Sequence, residues 1–287
     1  MTSGAVGLVL ARPARMLGLE AFFMELVAGI EETLAATDMS LLLHVVPDHR
    51  AELAAWRRWA AGHLVDALVV VDYVGQDDER LAALPELGLP AVVLGGPATG
   101  LPVTNVFVDD DAGAREAVAA LHGLGHGRIA RVSGPERLLH TRVRTASFAD
   151  ECASRGMELT TVEADYTEQA GRRATRDLLR GPTPPTAVVY DNDVMAAAGL
   201  AVAAEEGLLV PEQLSVVAWD DSPLCRLATP AISVVAIDVH ALGMQAGEGV
   251  LAAVAGAPPT TLHAQPPRLT LRGTTAAPLP RHTSGVS

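Results

Sequence analysis

The chain has 287 residues, 49% of them hydrophobic, which is enough for one large domain or two modest ones. Its formal net charge of -13 argues against binding DNA, RNA or an anionic membrane through this chain alone, because such binding needs clustered positive charge. The two cysteines, Cys152 and Cys225, are not spaced as a CxxC pair, so we expect packed thiols in a reducing compartment.

The chain also shows no sign of export or of a membrane partner. The start, "MTSGAVGLVLARPAR", lacks the basic segment, long apolar core and small-residue cleavage site of a secretory signal. No apolar run reaches the roughly 20 residues that a membrane span needs. We therefore expect a cytoplasmic protein.

Short runs rich in Val, Leu and Ile alternate with amphipathic helical patterns along the whole chain. The strand candidates cover residues 6–10, 41–46, 66–71, 91–96 and 105–109, and then 128–134, 158–164, 187–193, 215–221 and 232–238. Helical patterns include "FFMELVAGIEETLA" and "GAREAVAALHGLG". Nearly continuous apolar strands separated by helices predict an α/β fold with parallel sheets covered on both faces.

The strands fall into two groups of five, which predicts two doubly wound lobes joined by crossover segments. We place the N-terminal lobe at 4–124 and 239–266, and the C-terminal lobe at 125–238 and 267–276. A helical pattern at 240–256 and a strand at 268–273 can return the chain to the N-terminal lobe and then to the C-terminal lobe, and so connect the two lobes. The tail at 277–287 has Pro, Ser, Thr and Gly without periodicity, which predicts disorder.

The sequence contains no motif for a familiar enzyme or cofactor site. There is no lysine for a P-loop, no GxGxxG after the first strand, no HExxH and no GxSxG. We expect no enzymatic activity and no cofactor.

Two local patterns have more than one reading. The glycine-rich stretch "GLGHGRIARVSGP" at 123–135 could cradle phosphate, supply half of a metal site or form an elbow between lobes. His122 and His126 have the spacing of a helical metal pair, but the glycines beside them favour a helix end. The acidic run at 109–111 could bind a cation, although helix capping is favoured.

Several segments together resemble the effector-binding core of the lactose/galactose repressor (LacI/GalR) family. The most specific are "LGHGRIARVSGP", "PTAVVYDND" and "SVVAWDDSP" followed by "TPAISVV", and the likeness runs from Val6 to Thr275. The resemblance implies a type I periplasmic-binding-protein-like fold whose two lobes close on a small ligand, usually a sugar or a nucleobase. It also makes the glycine-rich stretch the first crossing between lobes, where glycine supplies unusual backbone angles.

The resemblance implies a function as the effector-binding and dimerisation core of a transcriptional regulator, a homodimer whose lobes close on the effector. Residues 22–37 and 222–227 are the implied dimer surfaces. Relatives carry an N-terminal helix-turn-helix, but only "MTSGA" precedes the first strand here, so we expect DNA contact only through a headpiece absent from this chain. The alternatives are a solute-binding protein of a transport system, which would need a signal peptide, and an enzyme on the same scaffold.

Ligands of open parallel sheets sit beyond the carboxyl ends of the strands, so residues just after those ends are the candidates. The resemblance places Arg144 and Asp220 in the effector cleft, where a guanidinium and a carboxylate can bracket vicinal hydroxyls. The alternative is a structural ion pair. Tyr166 matches an aromatic that stacks on the effector in many relatives, and simple packing is its alternative.

Other candidates follow from the same resemblance. Asn192 matches a position that often hydrogen-bonds the effector, whereas Asp193 is expected to cap the following helix more than to bind ligand. Phe22 and Phe23 match an aromatic pair, of which one lines the cleft and the other, with Phe23 the better candidate, packs in the core.

Two departures from the family pattern bear on ligand identity. The stretch "ARPARMLGLEA" replaces the proline–aspartate strand end and Asn-Pro turn of relatives. Its Arg12 and Arg15 could face an acidic ligand or solvent, and solvent is favoured. Ser147 stands where glycine is usual.

Overall fold

The computed structural model describes residues 3–12, 21–75, 77–98 and 100–279, which form two six-stranded sheets with helices between the strands. In chain order the first elements are β1 (Ala5–Ala11), α1 (Ala21–Leu34), β2 (Ser40–Val46), α2 (His49–Ala61), β3 (Ala67–Val70), α3 (Glu79–Leu87), β4 (Ala91–Gly95), β5 (Thr104–Phe107) and α4 (Asp110–Gly123). The next are β6 (Arg128–Ser133), α5 (Leu139–Ser154), β7 (Glu158–Glu163), α6 (Glu168–Arg180), β8 (Ala187–Tyr190) and α7 (Asp193–Glu205). The last are β9 (Ser215–Trp219), α8 (Pro223–Leu227), β10 (Ser233–Ala236), α9 (Val239–Val254), β11 (Thr261–His263) and β12 (Arg268–Thr270).

The chain divides into two units with one sheet each. The N-terminal unit comprises Met1–Asp109, Arg137–His140 and Asp238–Pro266, and the C-terminal unit comprises Asp110–Glu136, Thr141–Ile237 and Pro267–Ser287. The N-terminal sheet has the order β11-β5-β4-β3-β1-β2, with every pairing parallel. The C-terminal sheet has the order β12-β10-β9-β8-β6-β7, in which only β12 is antiparallel. The predicted α/β fold with two doubly wound sheets is confirmed.

In both sheets the order in which strands are added reverses at the first strand, and we call this place the direction-reversal point of the sheet. In the N-terminal sheet β1 lies between β2 and β3, and in the C-terminal sheet β6 lies between β7 and β8. The connections from such a central strand leave toward opposite sides, which opens a crevice beyond the carboxyl ends of the strands. Residues that follow β1, β3, β6 and β8 are therefore the candidates for ligand contact.

Helix α9 packs against α1 through glycines and so returns the chain to the N-terminal unit. A Cβ on Gly29 would lie 2.1 Å from the carbonyl oxygen of His240, and one on Gly243 would lie 2.3 Å from that of Leu26. Only glycine allows the two backbones to approach this closely. After α9 the short edge strand β11 joins the N-terminal sheet, a strand that the sequence patterns did not predict.

The glycine-rich stretch at 123–127 lies within the C-terminal unit. Helix α4 ends at Gly123, Gly125 has a φ of +95°, and β6 begins at Arg128. The chain passes from the N-terminal to the C-terminal unit at Asp109–Asp110, before α4. This division differs from the predicted boundary between 124 and 125, and the stretch is a helix-to-strand connection instead of an elbow between lobes.

The physical reason is the buried face of α4. Ala114, Ala117, Val118 and Leu121 of this helix share one apolar cluster with Ile129 and other residues of the C-terminal unit. A helix whose apolar face is buried against one sheet belongs to that sheet's unit. The predicted tail is also described in part, since the backbone N–H of Leu279 donates to the carbonyl oxygen of Glu212 at 2.9 Å, whereas residues 280–287 lie outside the described residues.

Candidate functional site

A fully buried ion pair fixes the direction-reversal point of the C-terminal sheet. Arg131 of β6 donates from Nε to Asp191 Oδ1 at 2.8 Å and from Nη2 to Oδ2 at 2.6 Å. Neither side chain is exposed to solvent. Burial alone would raise the pKa of Asp191, but the guanidinium groups of Arg131 and Arg144 and the hydrogen bonds to the carboxylate hold it below its usual range. Asp191 also accepts from the backbone N–H of Gly134 at 3.0 Å, which ties the ends of β6 and β8 together.

Arg144 lies on α5 and has two partners in the same unit. Its Nε donates to Asp110 Oδ1 at 2.7 Å, and its guanidinium carbon lies 3.8 Å from the ring centroid of Trp219. The side chain is 11% exposed and that of Asp110 is 4% exposed. The carboxylate bound to Arg144 is therefore Asp110 at the start of α4, and the structural ion pair that was the alternative for Arg144 is present with this residue.

Asp220 follows β9 and has an unusual backbone. Its φ of 70° lies in the left-handed region, which a non-glycine residue seldom adopts, and its N–H donates to the carbonyl oxygen of Val235 at 2.9 Å. Burial raises the pKa of its carboxyl to about 7; Arg144 opposes that rise, while Asp193, Asp110 and Asp191 add to it. The carboxyl therefore changes charge near neutral pH, within electrostatic reach of Arg144.

The residue that caps α7 is Asn192 and not Asp193. Asn192 is the N-cap of α7, with Oδ1 accepting from the backbone N–H of Met195 at 2.9 Å and Nδ2 donating to the carbonyl oxygen of Tyr166 at 3.0 Å. The expectation that Asp193 caps this helix is wrong, because Asp193 is already the first helical residue and the cap position precedes it. Both side chains are buried.

Tyr166 lies against the backbone that follows β6. A Cβ on Gly134 would lie 2.1 Å from the Tyr166 hydroxyl oxygen, so the ring occupies the space that a side chain at 134 would need. The hydroxyl lies 3.4 Å from Thr141 Oγ1, and the backbone of Tyr166 has a φ of 67°. Tyr166 is half-buried, and it is brought to the same sheet edge as Arg144, Asn192 and Asp220.

The N-terminal unit has its own polar pair after its central strands. Arg12 follows β1 and contacts Asp72, which follows β3, through Nη2 and Oδ2. The guanidinium carbon of Arg12 lies 4.0 Å from the ring centroid of Phe23. The expectation that Arg12 faces solvent is therefore wrong, and the reason is a carboxylate on the neighbouring strand. Arg15 lies outside the described residues.

Phe22 and Phe23 begin α1 and contact each other edge to face. Their ring centroids are 5.1 Å apart, with planes at 73°. Phe23 is 6% exposed, and Phe22 is half-buried. Ser147, at the other departure from the family pattern, donates to Asp111 Oδ1 at 2.6 Å and so links α5 to α4.

Sequence reasoning missed four residues of the C-terminal site: Arg131, Asp191, Asp110 and Trp219. A signal existed for the first pair, since an arginine inside an apolar strand must have a buried partner. The run "YDND" supplied that partner in its first aspartate. Asp110 carried no comparable signal, because it lies 34 residues before Arg144 in the chain.

The glycine-flanked histidine and the two thiols have structural roles. His126 is buried, with Nδ1 2.8 Å from Thr186 Oγ1 and Nε2 3.1 Å from the carbonyl oxygen of Ala276. Cys152 and Cys225 are buried free thiols, and burial raises the pKa of each to about 11, which agrees with packed thiols. Among the described residues, no group of three His, Cys, Asp or Glu side chains is placed to hold a metal ion, and none of the described helices is both long and apolar enough to span a bilayer.

The chain is similar to known transcriptional regulators in sequence. The family profile described as a periplasmic binding protein-like domain matches residues 118–275. The transcriptional regulator RafR of Escherichia coli is 29% identical over 84% of this chain and 72% of its own length. The regulator AglR of Rhizobium meliloti is 33% identical over 69% of this chain, which spans only 56% of that relative.

The chain is also similar to solved structures of transcriptional regulators. A LacI family transcriptional regulator from Bifidobacterium animalis subsp. lactis has a TM-score of 0.88 and 31% identity, covering 97% of this chain and 100% of that one. A complex of the transcriptional regulator CelR with cellobiose has a TM-score of 0.85 and 28% identity, covering 94% and 84% of the two chains.

Proposed function

The chain belongs to the LacI family of transcriptional regulators, and we propose that it is an effector-sensing core whose effector is a small hydroxyl-rich molecule, a sugar or a nucleoside. The observation that carries this proposal is the set of side chains at the carboxyl edge of the C-terminal sheet. Arg144 is oriented there by Trp219 and Asp110, and Asp220 lies within its electrostatic reach. Curated relatives are named as transcriptional regulators, which favours this function over transport or catalysis.

The two side chains suit vicinal hydroxyl groups. A guanidinium presents several donors in a fixed plane, and an ionised carboxylate accepts two or more hydrogen bonds. Asp110 and Trp219 restrict the rotamers of Arg144, so less conformational entropy is lost when a ligand binds. The CelR complex with cellobiose supports a sugar as the first class of effector to test.

Binding acts on regulation only through unequal affinity for two conformations of the protein. A shift of the population from 1:99 to 99:1 requires a difference of about 5.5 kcal/mol. We propose that the functional form is a homodimer in the compartment that holds the DNA, and that DNA contact uses a headpiece outside residues 1–287. Family membership supports these three statements.

A thermal-shift screen over sugars, nucleosides and amino acids tests the function. An effector present at one hundred times its Kd should stabilise the folded protein by about 2.7 kcal/mol. At about 2–4 °C for each kcal/mol, the melting temperature should rise by about 5–10 °C. A sugar or nucleoside should give the largest shift. The proposal fails if only amino acids stabilise the chain, or if a stabilising ligand is chemically converted.

The choice of site variant for that screen follows from the contacts. Arg144→Ala would leave the buried carboxylate of Asp110 without its ion pair, so it would lower stability as well as binding. Asp220→Asn keeps the size of the side chain and removes only its charge. Glu158→Gln makes the same change in an exposed carboxylate paired with Arg128 on the sheet edge, and is the matched control.

A further inference from the structure

Arg12 and Asp72 meet at the direction-reversal point of the N-terminal sheet. β1 and β3 are parallel neighbours, with Leu8 opposite Val69, so the residues that follow them emerge side by side. This edge is where ligands of parallel α/β sheets bind. A charged pair at this place bears directly on which ligands the N-terminal unit accepts.

The pair brings opposite charges into contact. Arg12 Nη2 contacts Asp72 Oδ2, and the two side chains are 12% and 18% exposed. Burial alone would raise the pKa of Asp72, but Arg12, His140, Arg80 and His49 hold it below its usual range, so the carboxylate is ionised at neutral pH. Within the pair the two opposite charges cancel, so the pair has both donors and acceptors and no net charge of its own.

A buried arginine beneath the pair fixes Asp72. Arg80 donates from Nη2 to the carbonyl oxygen of Asp72 at 2.8 Å, and from Nη1 to that of Val71 at 3.2 Å. Arg80 is itself held by Asp78, at 2.7 Å, and by Glu52, at 2.9 Å. These bonds support the left-handed backbone of Asp72, whose φ is 53°.

The ring of Phe23 holds Arg12 from another side. The 4.0 Å separation between guanidinium carbon and ring centroid is the geometry of a cation–π contact. Both members of the pair are thus held by buried neighbours, Phe23 for Arg12 and Arg80 for Asp72. A preorganised pair can discriminate between ligands, because it does not rearrange to suit each of them.

We propose that Arg12 and Asp72 are specificity-determining residues that select a neutral, hydroxyl-bearing effector over an anionic one. The inference rests on the proposed function. An arginine alone at the end of β1 would attract carboxylates and phosphates. With Asp72 in contact, an anionic ligand meets a negative charge wherever it meets the positive one, whereas hydroxyl groups can donate to Asp72 and accept from Arg12.

The test measures the affinities of the full chain for matched neutral and anionic ligands by calorimetry at pH 7.5. The pairs are glucose with glucuronate, galactose with galacturonate, cellobiose with cellobionate, and adenosine with adenosine monophosphate. The parent protein should prefer the neutral member of any pair that it binds. Asp72→Asn should lower the ratio of neutral to anionic affinity at least about tenfold, because the charge of Arg12 is then no longer balanced by Asp72.

A second variant, Arg12→Met, should change the affinity for the anionic ligand in the opposite direction. Arg12→Met leaves the carboxylate of Asp72 in place, so its affinity for the anionic member should fall below that of the parent. Glu158→Gln, with the same loss of charge at an exposed position, should keep the parent's ratio within twofold. If the ratio in Asp72→Asn stays within twofold of the parent, or if the parent prefers the anion, this inference is wrong although the proposed function stands. A sugar or nucleoside from the thermal-shift screen that lies outside these pairs is compared with its own anionic derivative. If the parent binds no sugar or nucleoside at all, the proposed function fails as well.

Discussion

Replacing Arg131 by methionine is expected to lower the free energy of unfolding by about 3–5 kcal/mol. The variant keeps the length of the side chain but leaves the Asp191 carboxylate without its paired guanidinium, at a position where neither partner is exposed to solvent. It also removes the donor to Thr145 Oγ1, which lies 2.6 Å from Arg131 Nη1. Chemical denaturation at pH 7 measures the change through the midpoint and slope of the transition.

Two controls separate a buried charge from the general loss of an arginine. Arg115→Met breaks an ion pair with Asp111 whose side chains are 44% and 46% exposed, and should cost far less stability than Arg131→Met. The double variant Arg131→Met with Asp191→Leu removes both buried charges and should recover much of the lost stability. A loss below about 1 kcal/mol in Arg131→Met alone would contradict the role of this pair.

Asp220→Asn is expected to make the folded protein more stable, and increasingly so as the pH rises from about 4 to about 7. Burial raises the pKa of Asp220 from 3.8 to about 7. Over this interval the folded chain holds a proton that the unfolded chain has released, so ionisation of Asp220 costs stability as the pH rises. Each pKa unit corresponds to about 1.4 kcal/mol, so the gain in the variant above pH 7 is at most about 4 kcal/mol.

The neighbouring residue, Asp221, provides a control in which the same substitution should change stability in the opposite direction. Asp221 is bound by Arg272, with two contacts of 2.8 Å each, and these hydrogen bonds hold the pKa of Asp221 below its usual range. Asp221→Asn therefore loses stability at neutral pH, and the loss shrinks as the pH falls through the folded-state pKa of Asp221. Unfolding at several pH values measures both variants. A difference between Asp220→Asn and the parent that does not change with pH would contradict the burial of this carboxyl.

Strand positions were predictable because most central strands are rich in apolar residues on both faces. Residues 67–70 and 187–190 are apolar and buried throughout, which is typical of strands in a sheet covered on both faces. β11 was missed because "TLH" is short, lies at a sheet edge and has no apolar repeat. The crossing at Asp109–Asp110 was misplaced because glycines mark a change of backbone direction, whereas the unit to which α4 belongs is decided by long-range packing.

The candidate site residues stay a prediction, and the sequence did not indicate their partners. The family resemblance supplied Arg144, Tyr166, Asn192 and Asp220, and the rule that ligands meet strand ends agrees with the positions of Asn192 and Asp220 after β8 and β9. The contacts of Arg144 with Asp110 and of Arg12 with Asp72 depend on which elements pack together, and no spacing along the chain encodes that. The shift from Asp193 to Asn192 as the helix cap is one residue, because both are good capping residues and the sequence alone does not indicate which of them precedes the first helical turn.

The most direct test is the affinity of Asp220→Asn for the sugar or nucleoside that stabilises the parent chain most. Calorimetry at pH 8, where the carboxyl of the parent is ionised, compares the parent, Asp220→Asn and the exposed control Glu158→Gln. Loss of a hydrogen bond to a charged group should weaken binding by the parent's effector about 10- to 100-fold in Asp220→Asn, and leave Glu158→Gln within twofold. Equal affinities in Asp220→Asn and the parent would show that the effector does not contact this carboxylate, and the account of the site would be wrong.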